Sequence, residues 1–237
     1  MSSPARIRYR FDLPDGSKKT FDFFFEPVSF RLTNAPPANP PFWTELGFNQ
    51  CANCPLQATV EPHCPVALQL VRGIDELKAL VSHDTVNVTV VQDERRVSVV
   101  TSAQTALASV FGLIMATAGC PWTDHLRPMA RFHLPFASDA ETLYRSLSMY
   151  ALAQAVWGAS KPGPAAFDDL RALYAQLHVV NRDMSRRLGA AAQTDPARNA
   201  IALLDAFATL LPDALEKSLQ EIAPLFTAWP KGPEQPI

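Results

Sequence analysis

RIRYRFDLPDGSKKTFDFFFE, residues 6–26, alternates along two arms. Ile7, Tyr9, Phe11 and Leu13 lie between Arg6, Arg8, Arg10 and Asp12, and Phe21, Phe23 and Phe25 lie between Thr20, Asp22, Phe24 and Glu26. Successive side chains on a strand point to opposite faces, so each arm has one apolar face to bury. Pro14-Asp15-Gly16 puts turn-forming residues between the arms, and the stretch predicts a β-hairpin whose outer face sets arginines near acids across the strands. Val86, Val88 and Val90, turning at Asp93-Glu94 into Val97 and Val99, predict a second hairpin. Two such hairpins can close one four-stranded antiparallel sheet. Between them, the prolines of residues 27–41 exclude regular structure.

From Thr101 onward the apolar spacing turns helical, so strands come early and helices late, the pattern of an α+β fold. The run from Ala106 to Gly119 reads as a buried helix, too short for the roughly 20 residues that span a bilayer. Ser138 with Glu141 forms a capping box that opens a helix through Leu143, Leu147, Tyr150 and Ala151, stopped by Lys161-Pro162-Gly163-Pro164. The next helix carries Phe167, Leu170, Leu173, Tyr174, Leu177, Val180, Met184 and Leu188. Asp168 and Asp169 suit the dipole of its first turn, and Arg186 and Arg187 that of its last. Asp195-Pro196 starts a third helix with Ile201, Leu204, Phe207 and Leu211, and Pro212 a fourth with Leu215, Leu219, Ile222 and Phe226. The expected organisation is one domain, 1–237, with a β-rich part and cysteine motif in 1–101, a helical part in 102–229 and a tail in 230–237.

The 237 residues (26.0 kDa) are 48% apolar and 19% charged, which excludes wholesale disorder. With 21 basic against 23 acidic residues the net charge is -2, so there is no general basic field for nucleic acid or an anionic membrane. The 21 prolines against 9 glycines favour rigid turns and abrupt helix starts. Residues 1–10 lack the apolar core of a signal peptide, so a cytoplasmic location is expected.

In a reducing compartment four cysteines point to metal ligation before disulfides. They stand as Cys51-Ala52-Asn53-Cys54-Pro55, His63-Cys64-Pro65 and Gly119-Cys120-Pro121. Two thiolates at C-x2-C grip one ion from a single turn, and loops can fold a third and a fourth onto it. Cys51, Cys54, Cys64 and Cys120 are therefore the expected metal ligands. His63 is the alternative to Cys120, disfavoured because neighbouring side chains on extended backbone point apart. The apolar neighbours Leu56, Val66, Ala67, Leu68 and Trp122, with the Cys-Pro steps, favour a [4Fe–4S] cluster over zinc.

Asn49-Gln50-Cys51-Ala52-Asn53-Cys54-Pro55-Leu56, His63-Cys64-Pro65, Gly119-Cys120-Pro121 and Arg131-Phe132-His133-Leu134-Pro135-Phe136 together resemble an uncharacterised bacterial family, a domain of unknown function spanning most of the chain. The resemblance implies that the four cysteines act as one set. It implies no activity.

Asp124, His125, Arg127, Arg131 and His133 crowd one short segment after the last cysteine. Arg127, Arg131 and His133 can form an anion site beside the metal. The competing expectation is a connection whose polar groups cap helices and pair with Asp124 and Glu141. His178, Asn181 and Arg182 read as a solvated helix face. No P-loop, G-x-G-x-x-G, G-x-S-x-G or H-E-x-x-H is present. The functional expectation is a four-cysteine metal centre, structural or redox-responsive, acting through a protein partner. An enzyme working on an anionic small molecule beside the metal, or a metal-free interaction module, are the alternatives.

Overall fold

The structure, a computed structural model, describes residues 5–157, 167–191 and 195–228, leaving aside the side chains of residues 207, 210–219 and 221. The predicted hairpins are strands β1 (Ala5–Asp12) and β2 (Lys18–Phe25), then β3 (Thr85–Gln92) and β4 (Arg95–Ser102). They form one antiparallel sheet in the order β2-β1-β3-β4, with Tyr9 opposite both Phe21 and Val90. The period-two pattern sets this register, because a one-residue slip would turn Phe11 or Phe21, Phe23 and Phe25 outward. Ile7, Tyr9, Phe11, Phe21, Phe23, Phe25, Val86, Val88 and Val90 are all buried. On the outer face Arg8 grips Asp22 through two hydrogen bonds, 2.7 and 3.0 Å, the expected cross-strand pairing.

The apolar run becomes α2 (Ala103–Thr117), capped by Ser102, whose Oγ accepts from the Thr105 amide. It packs on the sheet, and the Tyr9 hydroxyl reaches Ser109 Oγ across that interface at 2.8 Å. The capping box is present: Ser138 N donates to Glu141 Oε2 at 2.8 Å and Glu141 N to Ser138 Oγ at 3.3 Å, opening α4 (Asp139–Trp157). Leu143, Leu147 and Tyr150 are buried on it and Ala151 is exposed, contrary to expectation, at the edge of the stripe. The stop at residues 161–164, the stripe positions Phe207, Leu211, Leu215 and Leu219, and the tail 230–237 lie outside the described residues or side chains. No helix among the described residues is long and apolar enough to cross a membrane.

Other parts of the structure differ from the sequence reading. The helices expected from Asp195 and from Pro212 are one element, α6 (Asp195–Ile222). Proline's fixed φ is itself helical, so a helix can run through it with the loss of one ladder bond. A helix that the sequence reading did not assign, α1 (Pro65–Glu76), follows the third cysteine. Cys64 is its N-cap residue and Pro65 opens it, while Val66, Ala67, Leu70, Val71 and Ile74 supply the buried stripe. On α5 (Asp168–Ala190), Arg187 turns inward instead of serving the dipole, and Asn181 is buried instead of solvated. A short α3 (Arg127–Arg131) completes the chain order.

Arg187 is 1% exposed. Its Nη1 donates to the carbonyls of Trp43 and Glu45, both at 2.7 Å, and its Nη2 to that of Leu46 at 3.0 Å. Residues 42–48 have a 3-10 turn (Phe42–Thr44) and one further turn bond, Phe48 N to Glu45 O at 3.1 Å, so the guanidinium adds donors to carbonyls that this short segment satisfies only in part. Replacing Arg187 by Met is expected to cost about 3 kcal/mol or more in urea-induced unfolding, since several charge-assisted hydrogen bonds go at once. Limited proteolysis of the folded variant should cut residues 36–64 first. A variant as stable as the parent would show that the guanidinium is not the anchor.

Candidate metal centre

The cysteine-bearing segments are joined by backbone hydrogen bonds. Cys64 N donates to Thr44 O and Leu46 N to Pro62 O, both at 2.8 Å, which sets His63 and Cys64 beside the segment that Arg187 holds. Asn49 takes a left-handed φ of 43°, which asparagine tolerates, and turns the chain into the C-x2-C loop. Within that loop Cys54 N donates to Cys51 O at 3.0 Å. Ala52 N donates to Asp183 Oδ2 on α5 at 2.8 Å, and Asn53 Nδ2 to Gln176 O and Oε1 at 3.1 and 2.9 Å. From the other side Trp122 Nε1 donates to Asn53 O at 2.5 Å, tying the Cys120 segment to the loop. Gly119, before Cys120, has φ +96°, a backbone conformation that glycine takes without strain, and the tip of the Arg31 side chain packs against it.

All four cysteines are free thiols, Cys64 buried and the others half-buried. Every one of the six pairs among Cys51, Cys54, Cys64 and Cys120 lies within electrostatic reach, and the neighbouring sulfurs disfavour ionisation of Cys51, Cys64 and Cys120. Burial pushes the Cys51 thiol up to about 12, with Cys64, Cys120, Asp183 and Cys54 adding to the shift. Burial likewise raises Cys120 to about 11, against the opposing pull of the Trp122 amide. Cys64 is raised by burial too, opposed by the amides of Ala67 and Val66 in the first turn of α1 and by Arg187. These are neutral thiols until a cation compensates their charge. Among the described residues no three His, Cys, Asp or Glu side chains already stand at ligating separation.

His63 gives its Nδ1 to Thr44 Oγ1 at 2.9 Å, and the Thr44 hydroxyl itself donates to Pro41 O at 2.7 Å. The hydroxyl proton being used, Nδ1 is the donor in that bond. Asp183 is fully buried beneath Cys51, and although burial opposes its ionisation, the Ala52 amide, Arg182 and Arg186 hold its carboxyl below the usual range.

The arginines and histidine of the suggested anion site are engaged separately. Arg127 pairs with Asp124 at 3.2 Å and reaches Ser29 O, Arg131 lies over the Phe30 ring at 5.3 Å, and His133 Nε2 meets the Tyr9 hydroxyl at 2.5 Å. Glu141 belongs to its capping box. Of this segment only His133 and the apolar side chains of Leu126, Met129, Ala130, Leu134 and Phe136 reach the large cavity beside α2. Sequence reasoning missed Arg187, Asp183 and Asn53 as the residues that hold the cysteine loops. The available signal was two charges one turn apart, at positions 183 and 187, inside the apolar stripe of α5.

A family model described as Domain of unknown function (DUF6901) matches residues 7–227. No curated protein and no solved structure matches the chain.

His133 supplies a pH test of this packing. Burial, then the fields of Arg145 and Arg95, push it from 6.5 down to about 3. Between those values the unfolded chain binds a proton that the folded chain does not, so this residue's contribution to stability is lost as pH falls below 6.5. The slope it adds is at most about 1.4 kcal/mol per pH unit. Urea unfolding of the parent and of His133→Gln between neutral and mildly acidic pH should show the smaller acid sensitivity in the variant. Parallel curves would mean that His133 is protonated in the fold.

Proposed function

The chain belongs to the DUF6901 family, and we propose that it carries a metal centre held by Cys51, Cys54, Cys64 and Cys120, a [4Fe–4S] cluster in preference to zinc. The observation that carries this reading is the mutual reach of all four thiols at one largely buried place, drawn from three separate stretches of chain. Four soft sulfur donors suit either metal group. Two features favour the cluster. The surroundings are apolar, with Leu56 and Trp122 packed on the core and Val66 and Ala67 buried in it. Backbone amides also face the sulfurs, those of Val66 and Ala67 toward Cys64 and that of Trp122 toward Cys120. Such N–H groups tune cluster potentials.

When bound, the group supplies positive charge that permits the thiolates to ionise and, for iron, a one-electron couple. The chain's own residues do the rest. Asp183 and Gln176 fix the C-x2-C loop on α5, Trp122 fixes the fourth ligand against it, and Arg187 puts a cation near Cys64. Binding would draw the sulfurs inward by side-chain rotation and add to folding energy. The centre is structural or redox-responsive and works through a protein partner in a reducing compartment such as the cytoplasm, where thiols persist.

Iron, sulfide and zinc are measured per chain on protein purified without oxygen. Four iron and four sulfide, with brown colour from thiolate-to-iron absorption, are expected. One zinc on colourless protein would move the site to the alternative metal, and neither metal would end the reading. Cys64→Ser should lower the melting temperature and expose residues 36–64 first to protease. An unchanged digestion pattern would count against the structural role.

A further inference from the structure

The sheet has two edge strands, β2 and β4, and only β2 is covered. Along β2 the backbone groups of Thr20, Asp22 and Phe24 are met from outside the sheet. Thr33 N donates to Phe24 O, and Asn34 Oδ1 accepts from Phe24 N, both at 2.8 Å. Asn34 Nδ2 donates to Asp22 O at 2.7 Å and Arg72 Nη2 to Thr20 O at 3.0 Å.

β4 has no such cover. Ala103 N donates to Asp84 O at 2.8 Å, continuing the register that pairs Val97 with Val90 and Val99 with Val88. Bonding alternates along an antiparallel ladder, so Val97, Val99 and Thr101 bond to β3, and the N–H and C=O groups of Arg96, Ser98 and Val100 point away from it. Among the described residues these groups have no hydrogen-bond partner. All three residues are exposed, Val100 at 68%. The strand pairs without a bulge along its whole length, holds no proline or glycine, and carries charge only at Arg95 and Arg96 beside the turn. Beyond that end it lacks the devices that blunt a free edge. On the inner face Val86, Val88 and Val90 of β3 are buried, whereas Val97 and Val99 are only half-buried. One more strand would satisfy the open groups and cover both valines.

The charges decide which strand fits. A second β4 laid antiparallel about a two-fold axis at Ser98 brings Arg96 opposite Val100, and Val97 opposite Val99, of the second copy. Opposed residues then share a face, as the pleat requires, and the inner valines of both copies continue one apolar layer. Arg96 and its equivalent stand about 13 Å apart along the strands, beyond the ~8 Å screening length of physiological salt. A parallel copy in register would set them about 5 Å apart. The edge is complementary to itself in the antiparallel sense.

We propose that the chain forms a two-fold symmetric dimer through β4, joining the two sheets into one, with Ser98 on the axis. Arg96 and Val100 of opposite copies exchange backbone hydrogen bonds, and Ser98 exchanges them with its equivalent. This interface is independent of the cysteine centre and stands or falls without it.

Sedimentation velocity of the full chain, purified without oxygen and kept reduced, tests the assignment over a range of concentrations. A reversible monomer to dimer equilibrium is expected. Val100→Glu sets a carboxylate opposite each Arg96 and Val100→Lys an ammonium, so the dimer of the first should be tighter than that of the second by about fivefold or more. Ser98→Pro removes an N–H that faces away from β3, which an edge strand tolerates, and should leave a folded monomer. Its urea unfolding checks that the fold is kept, and the comparison of Glu with Lys at position 100 stands without it. A parent chain that is monomeric at every concentration would overturn the proposal and leave the edge to a strand of another protein. A dimer indifferent to the charge at position 100, or a folded Ser98→Pro variant that still dimerises, would overturn it too.

Discussion

The buried guanidinium of Arg187 holds three carbonyls of residues 43–46 from inside α5. A stretch dense in proline cannot satisfy its own backbone, since each proline removes a donor and regular ladders do not form. A cation with several fixed donors can meet such carbonyls from one side chain, and Arg does this where Lys would not. The rest of the N-terminal half follows from that clamp. Thr44 accepts the amide of Cys64, α1 starts at the next residue, and the C-x2-C loop rests on Asp183, one turn before Arg187 on the same helix. Two opposite charges of α5, both buried, thus position the segment that bears three of the four cysteines.

The Cys-Pro steps acquire a local meaning from the fold. At Cys64-Pro65 the cysteine is the N-cap residue and the proline takes the first helical position, where its missing N–H is no loss. The amides of that first turn favour a thiolate at Cys64, while burial opposes it, and burial wins in the protein by itself. At Gly119-Cys120 the tight approach of Arg31 and the left-handed backbone put the fourth cysteine where Trp122 can reach the C-x2-C loop. Burial makes Cys51, Cys64 and Cys120 reluctant to ionise on their own.

The dense polar segment after Cys120 shows how residues with catalytic reputations become structural. Arg127 and Asp124 neutralise each other, Arg131 covers an aromatic ring, and His133 joins a hydroxyl chain with Tyr9 and Ser109 between sheet and helix. The connection holds its own backbone in short helical turns, and its side chains tie those turns to the sheet and to the Phe30 segment. The hollow left beside α2 takes its polar character from elsewhere, chiefly Arg145 on α4. That position looks ordinary in the sequence, because an arginine on an amphipathic helix normally faces water.

By itself the sequence determined the elements whose pattern is local. Alternation in residues 6–26 and 86–99 set two hairpins and their inward face, and the run after Ser102 set a buried helix. Ser138 with Glu141 set where α4 begins, because these signals depend on neighbours a few positions away. The C-x2-C spacing and the shared Cys-Pro steps also marked the four cysteines as a set. Only the tertiary structure decided what depends on contacts across more than a hundred residues. It turned Arg187 and Asp183 inward to hold the cysteine loops, ran α6 unbroken through Pro212, and formed α1 where the sequence reading had assigned no element. It also dispersed Arg127, Arg131 and His133 to separate partners. The physical reason is the same in each case. A side chain's partner is chosen by which unsatisfied group the packed chain brings next to it, and sequence spacing carries no record of that distance.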